Sequence, residues 1–158
     1  GYDDKILPSV QPTHATSDMY WAEDRIGKKR IKGAYPYKML LDKSKVIGLG
    51  TDFPVEKVNP FHTFYAATSR KDLKGYPVGG FQNQNALSRK ETLKGMTIWA
   101  AYLNFEEKEK GSIETNKFAD FVVIDRDIME VDLEDTPYTN VHQTYISGEL
   151  VYDNTESN

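Results

Sequence analysis

Short apolar blocks alternate with polar stretches along this chain, and the rhythm changes at about residue 111. Residues 6–10 form an apolar run closed by Gln11-Pro12, as expected of a buried strand. Thr13 to Asp18 is polar and reads as a loop, with Met19-Tyr20-Trp21-Ala22 as a short helix after it. From 30 to 43, Ile31, Ala34, Tyr35, Met39 and Leu40 recur at helical spacing and predict a helix despite Pro36. Residues 45–50 predict a second buried strand, which runs straight into Thr51-Asp52-Phe53-Pro54. Asn59-Pro60 supplies an N-cap and a first helical residue, opening a helix that ends near Ser69. Residues 71–87, with Gly75, Pro77, Gly79 and Gly80, predict a long polar loop. Ser88-Arg89-Lys90-Glu91 is a capping box that launches a helix to about Phe105.

Strands alternating with helices indicate parallel β/α architecture. The right-handed crossover rule then places strands 6–10 and 46–50 parallel and adjacent, with His14 and Asp52 on one edge. After Gly111 the pattern becomes β-rich. Residues 121–125 carry a continuous apolar face, and runs at 141–146 and 149–152 flank Ser147-Gly148, a two-residue hairpin signal. The expected division is a β/α part over 1–110 and a small β part over 111–158.

Composition narrows the function classes. At 158 residues the chain fits one ordinary domain, and falls short of a complete (β/α)₈ barrel, which takes about 250 residues. The absence of cysteine excludes a disulfide scaffold, a thiolate nucleophile and a thiolate-bound zinc. A net charge of −4, with Lys and Arg dispersed, argues against nucleic acid as the main partner. No apolar stretch approaches the roughly 20 residues of a membrane span, so no membrane partner is expected. The first residue is Gly1 rather than Met, so upstream sequence is expected; no secretory signal is visible, and the cytoplasm is the expected compartment.

Three stretches together resemble the amidohydrolase superfamily of metal-dependent hydrolases, in the branch called amidohydrolase family 3. The first is Gln11-Pro12-Thr13-His14-Ala15-Thr16-Ser17-Asp18-Met19 with the run from Trp21, and the second is Gly50-Thr51-Asp52-Phe53-Pro54-Val55. The third runs from Thr97 through Ala101 to Gly111-Ser112-Ile113, then Lys117-Phe118-Ala119-Asp120-Phe121-Val122-Val123. Thr51, Phe53 and Asn116 stand where the family more often has Ser, Trp and Gly. The resemblance implies an α/β fold: the C-terminal part of a (β/α)₈ TIM barrel, its seventh and eighth strands at residues 6–10 and 46–50, plus part of a small β-sandwich. It also implies hydrolysis of non-peptide carbon–nitrogen bonds, in a small-molecule amide or cyclic amide, by metal-activated water. The expected cofactor is a divalent metal, zinc, in the full-length enzyme, with none held by this piece alone. The family's His-x-His pair is absent, and His14, His62 and His142 are the only histidines. On this reading the piece is inactive by itself, and its uncovered apolar surface leads us to expect a homo-oligomer.

Asp52 is the leading candidate, for both metal binding and catalysis. It stands at the C-terminal end of a strand, the face where such barrels place their active sites. The resemblance assigns it to the metal and to accepting the proton of the attacking water. The plain alternative is a turn former ahead of Phe53-Pro54. His14 and Asp18 follow the other strand and are candidates for substrate binding, against a reading as loop structure and helix capping. Arg30 and Lys32 could hold an anionic group, although a solvated face explains them as well. His62 and His142 lack a metal-ligand spacing, and Gly79-Gly80 lacks the strand–helix setting of a phosphate cradle. Two rival readings are a non-catalytic binding module that keeps the amidohydrolase fold, and a self-contained α/β domain sharing only the fold.

Overall fold

The computed structural model describes residues 6–155. Strands β1 (Ser9–Val10) and β2 (Gly48–Leu49) pair in parallel, Ser9 opposite Gly48 and Val10 opposite Leu49. The Gly48 amide donates to the Pro8 carbonyl at 2.9 Å and the Gly50 amide to that of Val10 at 3.0 Å. Both strands are shorter than the apolar runs that announce them. A strand extends only as far as its ladder partner, and here helix α1 (Pro12–Asp18) begins two residues after Val10.

That helix corrects the expected loop at Thr13 to Asp18. Pro12 occupies its first turn, Ala15 is fully buried, and Thr13 and Thr16 are buried despite their hydroxyls. The Thr16 Oγ1 donates to the Thr13 carbonyl at 3.0 Å, so one polar group is satisfied inside the helix itself. Conversely, Met19 to Trp21 is a turn, and α2 (Ala22–Arg30) starts after it with a break at Gly27. The single helix expected over 30–43 is divided into a 3₁₀ turn (Ile31–Gly33) and α3 (Tyr37–Ser44). Pro36 explains the gap, because it lacks an N–H and steers the residue before it out of helical conformation.

The punctuated elements match their sequence signals. In α4 (Pro60–Ser69) the Asn59 Oδ1 accepts the Phe61 amide at 2.9 Å. In α5 (Arg89–Met96) both halves of the Ser88/Glu91 capping box are made. The predicted helix breaks at Thr97 and resumes as α6 (Ile98–Leu103). One core cluster gathers Ala15, Tyr37, Leu41, Ile47, Leu49, Ala67 and Leu87 around the parallel pair. Helix α5 crosses β2 so closely that a Cβ at Gly95 would meet Leu49 Cγ at 2.7 Å.

Strands β3 (Phe121–Ile124), β4 (Val141–Ile146) and β5 (Glu149–Asp153) form an antiparallel sheet in that order. Ser147 and Gly148 both have positive φ, 52° and 81°, as the two-residue hairpin requires. The apolar face expected on β3 is not buried as a block, since Val122 is 52% and Val123 40% exposed. Among the described residues after Gly111 one sheet, not two facing sheets, is present. A second core cluster, Phe61, Phe64 and Ile128 with Ile124 and Val141 against it, ties this sheet to α4. The whole is a mixed α/β structure. No helix among the described residues is long and apolar enough to cross a membrane.

Candidate active site

Parallel pairing sends the ends of β1 and β2 to the same edge, and the segment leaving each strand decides which side chains stand there. After β1, α1 carries His14 in its first turn. After β2, the chain turns at Asp52, whose φ of 58° puts it in the left-handed region that Asp tolerates better than most residues. The Asp52 carbonyl accepts the amides of Val55 at 2.8 Å and Glu56 at 3.3 Å, which fixes the turn. The Ser17 hydroxyl donates to Glu56 Oε1 at 2.6 Å and pins the far end of α1 to the loop behind Asp52.

These constraints bring His14 Nε2 to 3.4 Å from Asp52 Oδ2. That is longer than an ordinary N–H···O bond of about 2.7–3.2 Å. Nε2 of His14 is buried and has no hydrogen-bond partner. An orphaned nitrogen facing a carboxylate oxygen has the chemistry of a donor pair for a divalent cation. Two donors each about 2.1 Å from one tetrahedral metal stand about 3.4 Å apart, so the pair fits such a group. Among the described residues no cluster of three or more His, Cys, Asp or Glu is placed to share a metal. The described residues therefore offer two donors where a catalytic zinc takes about three protein ligands.

Asp18 is placed differently from His14 although both lie on α1. Its Oδ2 accepts the Tyr35 hydroxyl at 2.7 Å, so its carboxylate is engaged with a tyrosine, not with His14 or Asp52. Arg30 turns back to donate to the Ile26 carbonyl at 2.7 Å, and Lys32 is exposed. His62 lines a pocket of about 220 Å³ between α1 and α4, together with Thr13, Tyr20 and Asp72. Burial, helped by Lys57, pushes the His62 imidazole below its ordinary pKa. His142 lies on β4, remote in sequence from both ends of the parallel pair. Reading the sequence did not single out Arg70, the largest of the fully buried side chains. It closes a helix of small and apolar residues, and a hydrophobicity pattern gives a lone arginine there no signal of burial.

The sequence signature of the amidohydrolase family, in its family 3 form, matches residues 5–152. The chain belongs to the amidohydrolase family. It is 30% identical over 148 residues to YtcJ, an amidohydrolase-family protein of Bacillus subtilis, covering 94% of this chain and 28% of that protein. It is 29% identical over 123 residues to an N-substituted formamide deformylase of Arthrobacter pascens, covering 78% of this chain and 22% of that enzyme. An uncharacterized metal-dependent hydrolase of Pyrococcus horikoshii superposes with a TM-score of 0.71 at 31% identity, over 82% of this chain and 26% of that one. This amidohydrolase chain thus spans about a quarter of the length of the relatives it matches.

Proposed function

We propose that this chain is the C-terminal portion of a metal-dependent amidohydrolase that cleaves a non-peptide carbon–nitrogen bond in a small-molecule amide or cyclic amide. The observation that carries the reading is the buried, unpartnered His14 Nε2 set 3.4 Å from Asp52 Oδ2 beside adjacent parallel strands. The formamide deformylase, a relative named for an amide substrate, supports the bond class.

Asp52 and His14 would hold the metal from this chain's side, with further ligands supplied from outside residues 6–155. A divalent metal, when bound, supplies a Lewis acid that polarises a carbonyl and acidifies water. Asp52 then accepts the proton of the attacking water and passes it to the departing nitrogen. Its side chain is 45% exposed, which leaves it reachable by water and substrate. The Ser17–Glu56 bond keeps the carboxylate loop and the histidine helix from drifting apart. Asp18, held by Tyr35, lines the substrate side of α1 on this reading.

The test is Asp52→Asn in the full-length protein, assayed on N-acyl and cyclic amides with metal content measured alongside. Loss of a positioned base lowers turnover by roughly 10²–10⁴-fold. A variant within about threefold of wild type, metal intact, would show that Asp52 only shapes its turn.

A further inference from the structure

We infer that the buried Arg70 and Tyr37 and the half-buried Tyr35 form a positioning unit that fixes helix α1, and with it the His14 imidazole, against Asp52. The inference rests on the reading of His14 and Asp52 as a working pair.

Helix α1 cannot hold itself in place. It has seven residues, no side-chain cap at its N-terminus, and neither an acidic first turn nor a basic last turn. Helices this short are unstable alone in water, so the position of His14 is set from outside. Two tyrosines do this from opposite ends. The Tyr37 hydroxyl donates to the Gln11 carbonyl at 3.0 Å, where the chain enters α1. The Tyr35 hydroxyl donates to Asp18 Oδ2 at 2.7 Å, where the chain leaves it.

The tyrosines are in turn oriented by a cation. Arg70 is fully buried, and its guanidinium carbon lies 5.0 Å from the Tyr37 ring centroid and 5.8 Å from that of Phe81. Its Nε donates to the Phe81 carbonyl at 2.9 Å, and the Phe81 amide returns a bond to the Arg70 carbonyl at 2.7 Å. Tyr35 packs edge-on to both Tyr37 and Phe81, at 6.5 and 6.2 Å between centroids. The loop that brings Phe81 there is pressed against Arg70: a Cβ on Gly80 would lie 2.4 Å from the Ser69 carbonyl oxygen. Both terminal nitrogens of the guanidinium lack partners. Burying them so is expensive, and an aliphatic side chain would fill the same volume without that cost. What the guanidinium adds is a flat cationic face, which fixes the plane of the Tyr37 ring and so the direction of its hydroxyl.

The experiment uses the full-length protein with Tyr35→Phe, Tyr37→Phe, the double variant and Arg70→Met, each also combined with His14→Ala. The Phe variants keep the rings and remove only the hydroxyls, so they test the idea even if Arg70→Met fails to fold. Displacing a reacting group by about 1 Å costs on the order of 10²-fold, and that loss in kcat/KM is expected of the double variant. Amide exchange over residues 13–18 should quicken about tenfold when one such bond is removed, with α4 unchanged. In the His14→Ala background the Phe substitutions should cost nothing further, because they act through His14. Losses that simply add, or α1 exchange that stays at the wild-type rate, would overturn the positioning unit. If His14→Ala leaves turnover intact, the catalytic reading of the pair fails, and the exchange data alone decide whether the tyrosines hold α1.

Discussion

Asp52 combines a left-handed backbone with the side chain on which the proposed chemistry depends. A backbone in that region costs a non-glycine residue about 1–2 kcal/mol, and glycine removes the cost while loosening the unfolded chain by a comparable amount. Asp52→Gly is therefore expected to leave the denaturant midpoint close to wild type while turnover is lost. Arg70 is also left-handed, at φ 57°, but its substitution should destabilise, because its side chain fills the core. Burial pulls the Arg70 guanidinium down to about 10, and pushes the Tyr37 phenol up to about 12. In the β-rich part, the Arg126 guanidinium, with the Asn140 amide, holds the Asp125 carboxyl well below the usual carboxylate range. A folded-state pKa below the unfolded value stabilises fully above about pH 4 and is lost as the pH falls through the folded value. Asp125→Asn should thus flatten the acid limb of stability, read as unfolding midpoints between pH 7 and pH 3. The turn at Asp52 was legible because strand, turn residue and proline stand together in the sequence. Arg70 was not, because its burial is decided by Tyr37 and Phe81, far from it in the chain.

Elements with an explicit start signal were readable, and those held only by tertiary contacts were not. Asn59-Pro60 and Ser88–Glu91 satisfy helix N-termini locally, so the sequence carries the whole cause. Asn59→Ala is accordingly expected to cost about 1 kcal/mol in denaturant unfolding. Helix α1 was missed because Thr13 and Thr16 look solvated until α4 covers them. Gly95 sets two opposed effects against each other. In a helix interior, alanine gains up to about 1 kcal/mol over glycine. Here the new methyl would lie 2.7 Å from Leu49 Cγ and 3.1 Å from the Ile47 carbonyl oxygen, and overpacking costs about 1–3 kcal/mol. The clash wins, so Gly95→Ala should lower the unfolding midpoint and loosen β2, the strand that leads to Asp52.

The molecule exposes 10243 Å² of surface at 18.0 kDa. A folded monomer of that mass exposes about 8,000 Å². The exposed apolar residues include Phe105 at 94% and Ile113 at 85%, besides the valines of the β3 face. A 158-residue chain prepared alone is therefore expected to self-associate, with a sedimentation coefficient that rises with concentration. The parallel adjacency of β1 and β2, and the edge shared by His14 and Asp52, could be read from alternation and handedness alone. How the sheet β3–β5 is covered could not, because its cross-strand faces are half exposed and carry no buried-face signal.

The parallel pair joins residues 39 positions apart by a two-residue ladder. Closing a loop of that length costs about 3 kcal/mol in chain entropy before any contact repays it. The β4–β5 hairpin closes across two residues, an event of microseconds. Assembly is thus expected to proceed from the hairpin end, with His14 meeting Asp52 late, which pulse-labelled amide exchange during refolding would check. The same ladder is short enough to open first under mild denaturant, so activity should disappear ahead of global unfolding, reversibly, with the hairpin still intact.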